Sequence, residues 1–238
     1  MELTKTKRNF LVTLLSFMVG MIYFIPYIRI SFYDQTIAAL RLPGVWLVGL
    51  FIFFCYALNC GGAYYFGTYT TQVLHTSEAV SSSLQILRTY ILAIGLGIVG
   101  GVVIDKFRYR SRFLILSLAG ATAASALLPF LSGQIWVAIV VSVLISGINY
   151  MIKSVYYSIM DEALIPRNLT GAASGVIAFL AYVPDAFITA MVGVWLDQDM
   201  IGGFHKLFAF MAFCGVAAMI LAAIINKRYL KSVSPEKQ

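Results

Sequence analysis

Seven runs of apolar residues, near 10–30, 44–67, 79–104, 113–131, 134–159, 170–196 and 204–226, are each long enough to cross a bilayer. A helix needs about 20 residues to traverse the ~30 Å hydrocarbon core. Within that core every backbone N–H and C=O must find its partner inside the protein, which leaves helices or a closed barrel. A barrel needs strands of about ten residues with alternating polarity, and runs such as 113–131 do not alternate. The chain is therefore expected to be an all-α membrane protein. Composition excludes the remaining classes, because 11% of the residues are charged where a soluble domain carries about 25%. A water-soluble enzyme or a nucleic-acid-binding module is ruled out, and the short connections leave little room for an extramembrane domain.

Lys and Arg outnumber Asp and Glu by 17 to 10, an excess that in a membrane protein reports topology rather than a nucleic-acid partner. Arg41 precedes the last six runs. The 105–112 loop holds Lys106, Arg108, Arg110 and Arg112, Arg167 lies in the next basic loop, and Lys227, Arg228, Lys231 and Lys237 follow the last run. The intervening loops, 68–78, 131–134 and 197–203, carry no Lys or Arg. This alternation predicts six spans over 41–230 with both ends in the cytoplasm and a short tail at 231–238, as in a bacterial inner membrane or another plasma membrane. Residues 1–40, a basic start and a first hydrophobic helix, conflict with it. Lys5, Lys7 and Arg8 also favour the inside, so either they face outside, or the first segment does not span, or the last six helices invert; the four-cation loop argues against inversion. The first run has no small-residue cleavage pattern and is read as retained.

The three cysteines, Cys55, Cys60 and Cys214, lie in apolar runs without metal or disulfide spacing and read as small buried hydrophobes. His75 and His205 belong to no metal motif, and neither a phosphate loop nor a Ser-His-Asp set is present. No cofactor and no enzymatic activity are expected. Small residues at Gly95, Gly97, Gly100 and Gly101, and from Gly171 to Gly175, read as places where helix backbones approach.

The stretch Gly101-Val-Val-Ile-Asp105-Lys106, closing one apolar run and opening a basic loop, resembles the Gly-x-x-x-Asp-Arg/Lys signature of the major facilitator superfamily. Lys153-Ser-Val-Tyr156-Tyr157, Asp161-Glu162-Ala-Leu-Ile165-Pro166, Leu169-Thr170-Gly171 and Tyr182-Val-Pro184-Asp185-Ala-Phe187 are similar to the corresponding run in its organophosphate and nitrate-transporter-like groups. The resemblance covers most of 44–230 and implies the C-terminal six-helix half of a twelve-helix transporter. Residues 1–40 resemble the family's first helix, through Gly20-Met-Ile22-Tyr23-Phe-Ile-Pro26, Arg29 and Ser31-Phe32-Tyr33. Against a twelve-helix member the chain reads as a first helix joined to a C-terminal half, with helices two to six missing. The resemblance further implies a gating loop at Gly101, Asp105 and Lys106. Arg108 stands where the pattern usually has Gly, so the loop is built differently.

An ionisable group inside the bilayer costs about 2.5–3.5 kcal/mol on insertion scales and so marks a function or a paired contact. Arg88 lies ten residues into its run and either lines a substrate cavity, where its planar fork suits carboxylate or phosphate, or forms a structural ion pair. Asp185 follows Pro184 in mid-run and either pairs with Arg88 or stands in a cavity able to take a proton. Lys153 is close enough to a run end to snorkel, although the resemblance places a cation of this kind at a binding site. Arg29 either anchors the first segment or binds an anion, as the resemblance implies. Asn149, Gln85 and Tyr156 are further polar candidates within runs.

These readings lead to a secondary transporter moving a small solute, with an anion favoured by the basic intramembrane residues, through rocking of two six-helix halves. A lone half has nothing to rock against, so a homodimer or a separate N-terminal-half partner is expected. The competing class is a non-transporting membrane protein that pairs with a full-length homologue and regulates it. Asp161 and Glu162 stand beside one loop cation, which gives little for a membrane-embedded enzyme. The charge pattern makes a direct prediction: in a background with the native cysteines removed, Thr76→Cys reacts with an impermeant maleimide added outside, and Ser234→Cys reacts only after permeabilisation. The reverse labelling means an inverted bundle.

Overall fold

The computed structural model describes residues 33–131 and 133–233. The first apolar run and Arg29 lie outside the described residues. Six helices are long and apolar enough to span: α1 (Pro43–Val73), α2 (Glu78–Ile104), α3 (Arg110–Leu131), α4 (Ile135–Met160), α5 (Arg167–Gln198) and α6 (Met200–Val233). The described regular structure is all helical, and the chain is an all-α membrane protein with six spans among the described residues. Helix α6 continues to Val233, so the first residues of the expected tail complete a helix instead.

Helix starts follow local chemistry. Pro43 opens α1 after an extended Leu42, where its fixed φ suits the first turn and its missing N–H costs nothing. The Ser77 side chain accepts the Val80 N–H to cap α2. The start of α3 is capped from a distance: Glu162, in the α4–α5 connection, accepts the backbone N–H groups of Arg110 at 2.5 Å and Ser111 at 3.2 Å. A buried carboxylate is well placed there, since the helix N-terminus carries partial positive charge. The same connection is drawn in by Arg110, whose guanidinium reaches the Ser158 carbonyl and Asp161, both at 3.1 Å.

Two spans are irregular at mid-membrane. Helix α2 contains a π-turn at Leu87–Leu92, and α5 breaks at Tyr182 and Val183 between the segments Thr170–Ala181 and Pro184–Gln198. Pro184 has no N–H for the Leu180 carbonyl, which accepts Val183 N–H at 3.4 Å instead. Asp185 then falls in the first turn of the second segment.

Helix α1 is the most enclosed span and α2 the least. Helix α6 packs along α3 and α1, α2 lies on α4, the first half of α5 meets α1 and its second half meets α6. Buried side chains form two clusters stacked along the bundle, one including Phe51, Cys55, Leu114 and Ala222, the other Tyr56, Phe66, Leu128 and Phe208. They meet on α1 between Cys55 and Tyr56, and the polar side chains described below begin at that level.

The glycines that bring backbones together are fewer than the sequence suggests. At Gly100 a Cβ would meet the Ser154 Oγ at 2.8 Å and the Met151 carbonyl oxygen at 2.9 Å, so α2 and α4 touch there. Gly95, Gly101, Gly171 and Gly175 have nothing within 4 Å of a Cβ, since α2 and α5 turn much of their surface outward. Gly100→Ala is therefore expected to cost about 1–3 kcal/mol through overpacking against backbone, while its neighbour Gly101→Ala leaves stability unchanged or raised. Thermal unfolding in a fixed detergent separates the two; equal effects would contradict the α2–α4 contact.

Candidate functional site

Helix α1 carries no Asp, Glu, Lys or Arg, yet two of its faces meet ionisable residues of other helices. Tyr56, Cys60 and Tyr64 recur at every fourth residue and share one face, while Asn59, Gly62, Ala63 and Phe66 share another. The first face meets α5 and the second meets α2 and α4.

On the second face sits Arg88, 3% exposed. Its Nη2 donates to Ser142 Oγ on α4 at 2.5 Å, and its guanidinium carbon lies 5.2 Å from the centre of the Phe66 ring. The Ser142 hydroxyl itself donates to the Ile139 carbonyl, which leaves its oxygen to accept from Arg88. The π-turn explains how Arg88 and Gly100 both face inward. They are twelve residues apart, whereas three α-helical turns take up about 10.8, and the π-turn between them absorbs the surplus.

The Nε and Nη1 atoms of Arg88 are buried without a hydrogen-bond partner. Beside them is a cavity of about 10 Å³, room for roughly one water, lined by Asn59, Gln85, Thr89, Ser146, Asn149 and Tyr150. It shares Gln85 and Thr89 with an open groove of about 530 Å³ between α1 and α2. A charged fork with two idle donors is chemically suited to a carboxylate or phosphate oxygen, and the space for the rest of such a ligand lies in the adjoining groove rather than in the cavity itself.

On the first face, Asp185 accepts hydrogen bonds from Tyr56 at 2.7 Å, Tyr64 at 2.8 Å and Cys60 at 3.4 Å. Its place in the first turn of a half-helix adds the favourable end of the helix dipole. Lys153 does not run out to the interface: its Nζ lies 5.5 Å from the centre of the Tyr56 ring. Tyr182 stacks edge-on against Tyr56 at 4.7 Å and its hydroxyl meets that of buried Tyr156 at 3.4 Å. Arg88 and Asp185, considered as a pair from sequence, are not brought together. Each has its own partners on its own side of α1, and the ion pair found among the described residues is Arg110–Asp161.

At the basic end of the bundle, exposed Asp105 borders a recess of about 270 Å³ with Arg108, Arg110, Asp161 and Glu162. Lys106 is exposed beside it. Arg108 and Arg112 both lie over the Tyr109 ring, at 5.5 and 4.7 Å. Among the described residues no group of three His, Cys, Asp or Glu could hold a metal ion.

Five of the residues singled out from sequence, Arg88, Lys153, Asp185, Asn149 and Gln85, line these two faces of α1, and Tyr156 joins through Tyr182. Sequence reasoning missed Ser142 and Phe66, the partners of Arg88, and the stripe Tyr56, Cys60, Tyr64. The fourfold spacing of that stripe in an otherwise apolar span was its available signal. Cys60, read as a plain hydrophobe, is buried but donates to a carboxylate.

No family model matches the chain. It is similar to two proteins of Escherichia coli K12: inner membrane protein YihN, 26% identical over 80% of this chain and 46% of that protein, and inner membrane protein YqcE, 26% identical over 69% and 40%. The chain thus spans less than half the length of each of these curated relatives. Together with the six spans, these matches identify a multi-pass inner membrane protein.

Proposed function

We propose that this bundle is one six-helix half of a secondary transporter of the major facilitator type, moving a small anion by alternating access, and that it performs no enzymatic chemistry. The observation that carries the reading is Arg88, a buried cation with two idle donors beside a polar cavity. A charge in that position is costly, and Phe66 and Ser142 leave part of its fork free to receive an anionic oxygen. Supporting it are the break in α5 at mid-membrane, the kind of discontinuity transporters place at their sites, and the Gly101-to-Lys106 signature closing α2. In this reading Asp105 and Lys106 belong to the gating loop, and Lys153, Asp185 and Tyr156 line the face turned toward the opposite half. That half is supplied by a second copy of the chain or by a separate protein.

The test is binding by the purified chain, followed as thermal stabilisation over a panel of small carboxylates, sugar acids and organophosphates. A ligand present at a hundred times its Kd adds about 2.7 kcal/mol. Arg88→Gln is expected to abolish the shift, and Arg88→Lys, which keeps the charge and loses the fork, to weaken it by about tenfold or more. Stabilisation of Arg88→Gln equal to wild type would contradict the reading. Uptake by liposomes containing the purified chain in a strictly monomeric state would contradict the need for an opposite half.

A further inference from the structure

The α2–α3 loop and the end of α6 meet at two tyrosines. Tyr109, the residue before α3, packs against Tyr229 of α6 with ring centres 6.2 Å apart, which sets the start of α3 level with the last turns of α6. Arg108 and Arg112 both lie over the same Tyr109 ring, so two like charges that repel are held around one aromatic side chain. Neither belongs to an ion pair among the described residues. Of the carboxylates in the adjoining recess, Asp161 is paired with Arg110, and Glu162 accepts the first N–H groups of α3. Exposed Asp105 is left against exposed Lys106, Arg108, Arg112 and Arg228, a net positive surface at the edge of the bilayer. Exposed apolar side chains lead inward from it on both helices. Leu116 lies one turn from Arg112 on α3, and Ile224 and Ile220 lie one and two turns from Arg228 on α6. These three are 66%, 41% and 56% exposed although α3 and α6 pack along each other.

We infer that the α3–α6 edge at the basic end binds an anionic phospholipid: its phosphate rests on Arg108 and Arg112, with Arg228 alongside, and its acyl chains run along Leu116, Ile224 and Ile220. Guanidinium forks suit phosphate oxygens, and basic sites between spanning helices hold anionic headgroups. Tyr109 does the positioning. An arginine in a free loop spreads over many rotamers, whereas two stacked on one ring are arranged before the phosphate arrives, so less order is lost on binding. Free phosphate gains the charges and none of the hydrocarbon contact. A choline lipid gains the hydrocarbon contact but sets its own cation beside Arg108 and Arg112. An anionic lipid uses both parts of the surface. The inference stands apart from the anion site at Arg88 and does not require the bundle to transport.

The purified full chain, in a neutral detergent at about 0.15 M salt, is titrated with dioleoyl phosphatidylglycerol, dioleoyl phosphatidylcholine or inorganic phosphate. Bound lipid is counted by native mass spectrometry and stability is read as thermal unfolding. Wild type is expected to retain phosphatidylglycerol and to unfold at a higher temperature with it, to do neither with phosphatidylcholine at the same concentration, and to be unchanged by phosphate. A cation near a headgroup is worth about fivefold in affinity, so Arg112→Gln is expected to weaken phosphatidylglycerol about fivefold and Arg108→Gln with Arg112→Gln about thirtyfold. Arg112→Lys keeps the charge and most of the affinity. Lys106→Gln removes the same charge from the same loop without touching the stack on Tyr109, and is expected to change affinity by less than about twofold. Equal retention of phosphatidylcholine overturns the proposal, as does stabilisation by phosphate alone that matches phosphatidylglycerol. Equal effects of Arg112→Gln and Lys106→Gln overturn it too, because the surface then acts through bulk charge and not through a site.

Discussion

A guanidinium inside hydrocarbon has to be solvated by the protein, and the way Arg88 is solvated fixes how α1, α2 and α4 lie against one another. Phe66 offers a ring face, worth about 2 kcal/mol to a desolvated cation, and Ser142 offers one hydrogen bond, worth about 1.5–3 kcal/mol to a charged group. These offset the insertion cost of about 2.5–3.5 kcal/mol, so the arginine is tolerated without an ion pair. Both contacts need three helices in register. The π-turn at Leu87–Leu92 keeps Arg88 and Gly100 facing inward, and the α2–α4 contact at Gly100 brings α2 close enough for Arg88 to reach Ser142.

Helix α1 stands between Arg88 and Asp185. Lacking charge itself, it presents Phe66 to buried Arg88 on one face, and Tyr56, Cys60 and Tyr64 to exposed Asp185 on another, where Lys153 also lies over Tyr56, so Arg88 and Asp185 have separate partners. Helix association in a bilayer draws on close packing and hydrogen bonds more than on the hydrophobic effect. Here the apolar clusters fill the bundle along its length, and the polar contacts of Asp185 and Arg88 begin near their junction on α1.

The last six spans were legible, though not where the last one ends, because hydropathy over twenty residues follows the bilayer. Asp185 was legible through Pro184, and Arg88 through its depth, since both break a rule that holds along the rest of the chain. Their partners were not. Ser142 and Phe66 are ordinary residues in apolar runs, and what selects them is the rotation of α2, which depends on a π-turn that leaves no mark in composition. The glycines show the same limit from the other side: Gly100 and Gly101 are adjacent and equivalent to a pattern, and the packing of α4 uses the first alone. Glu162 read as a loop acid beside Arg167, but its work is to cap α3, some fifty residues earlier in the chain.

The central claim is that Arg88 and Asp185 are separately compensated, and a double-mutant cycle tests it most directly. Thermal or denaturant stability would be measured for wild type, Arg88→Gln, Asp185→Asn and the double variant, in one detergent without ligand. Separate compensation predicts that the two effects add to within about 0.5 kcal/mol. If the double variant instead recovers stability lost in each single one, with a coupling of about 1 kcal/mol or more, the two charges pair in the folded protein and the account is wrong.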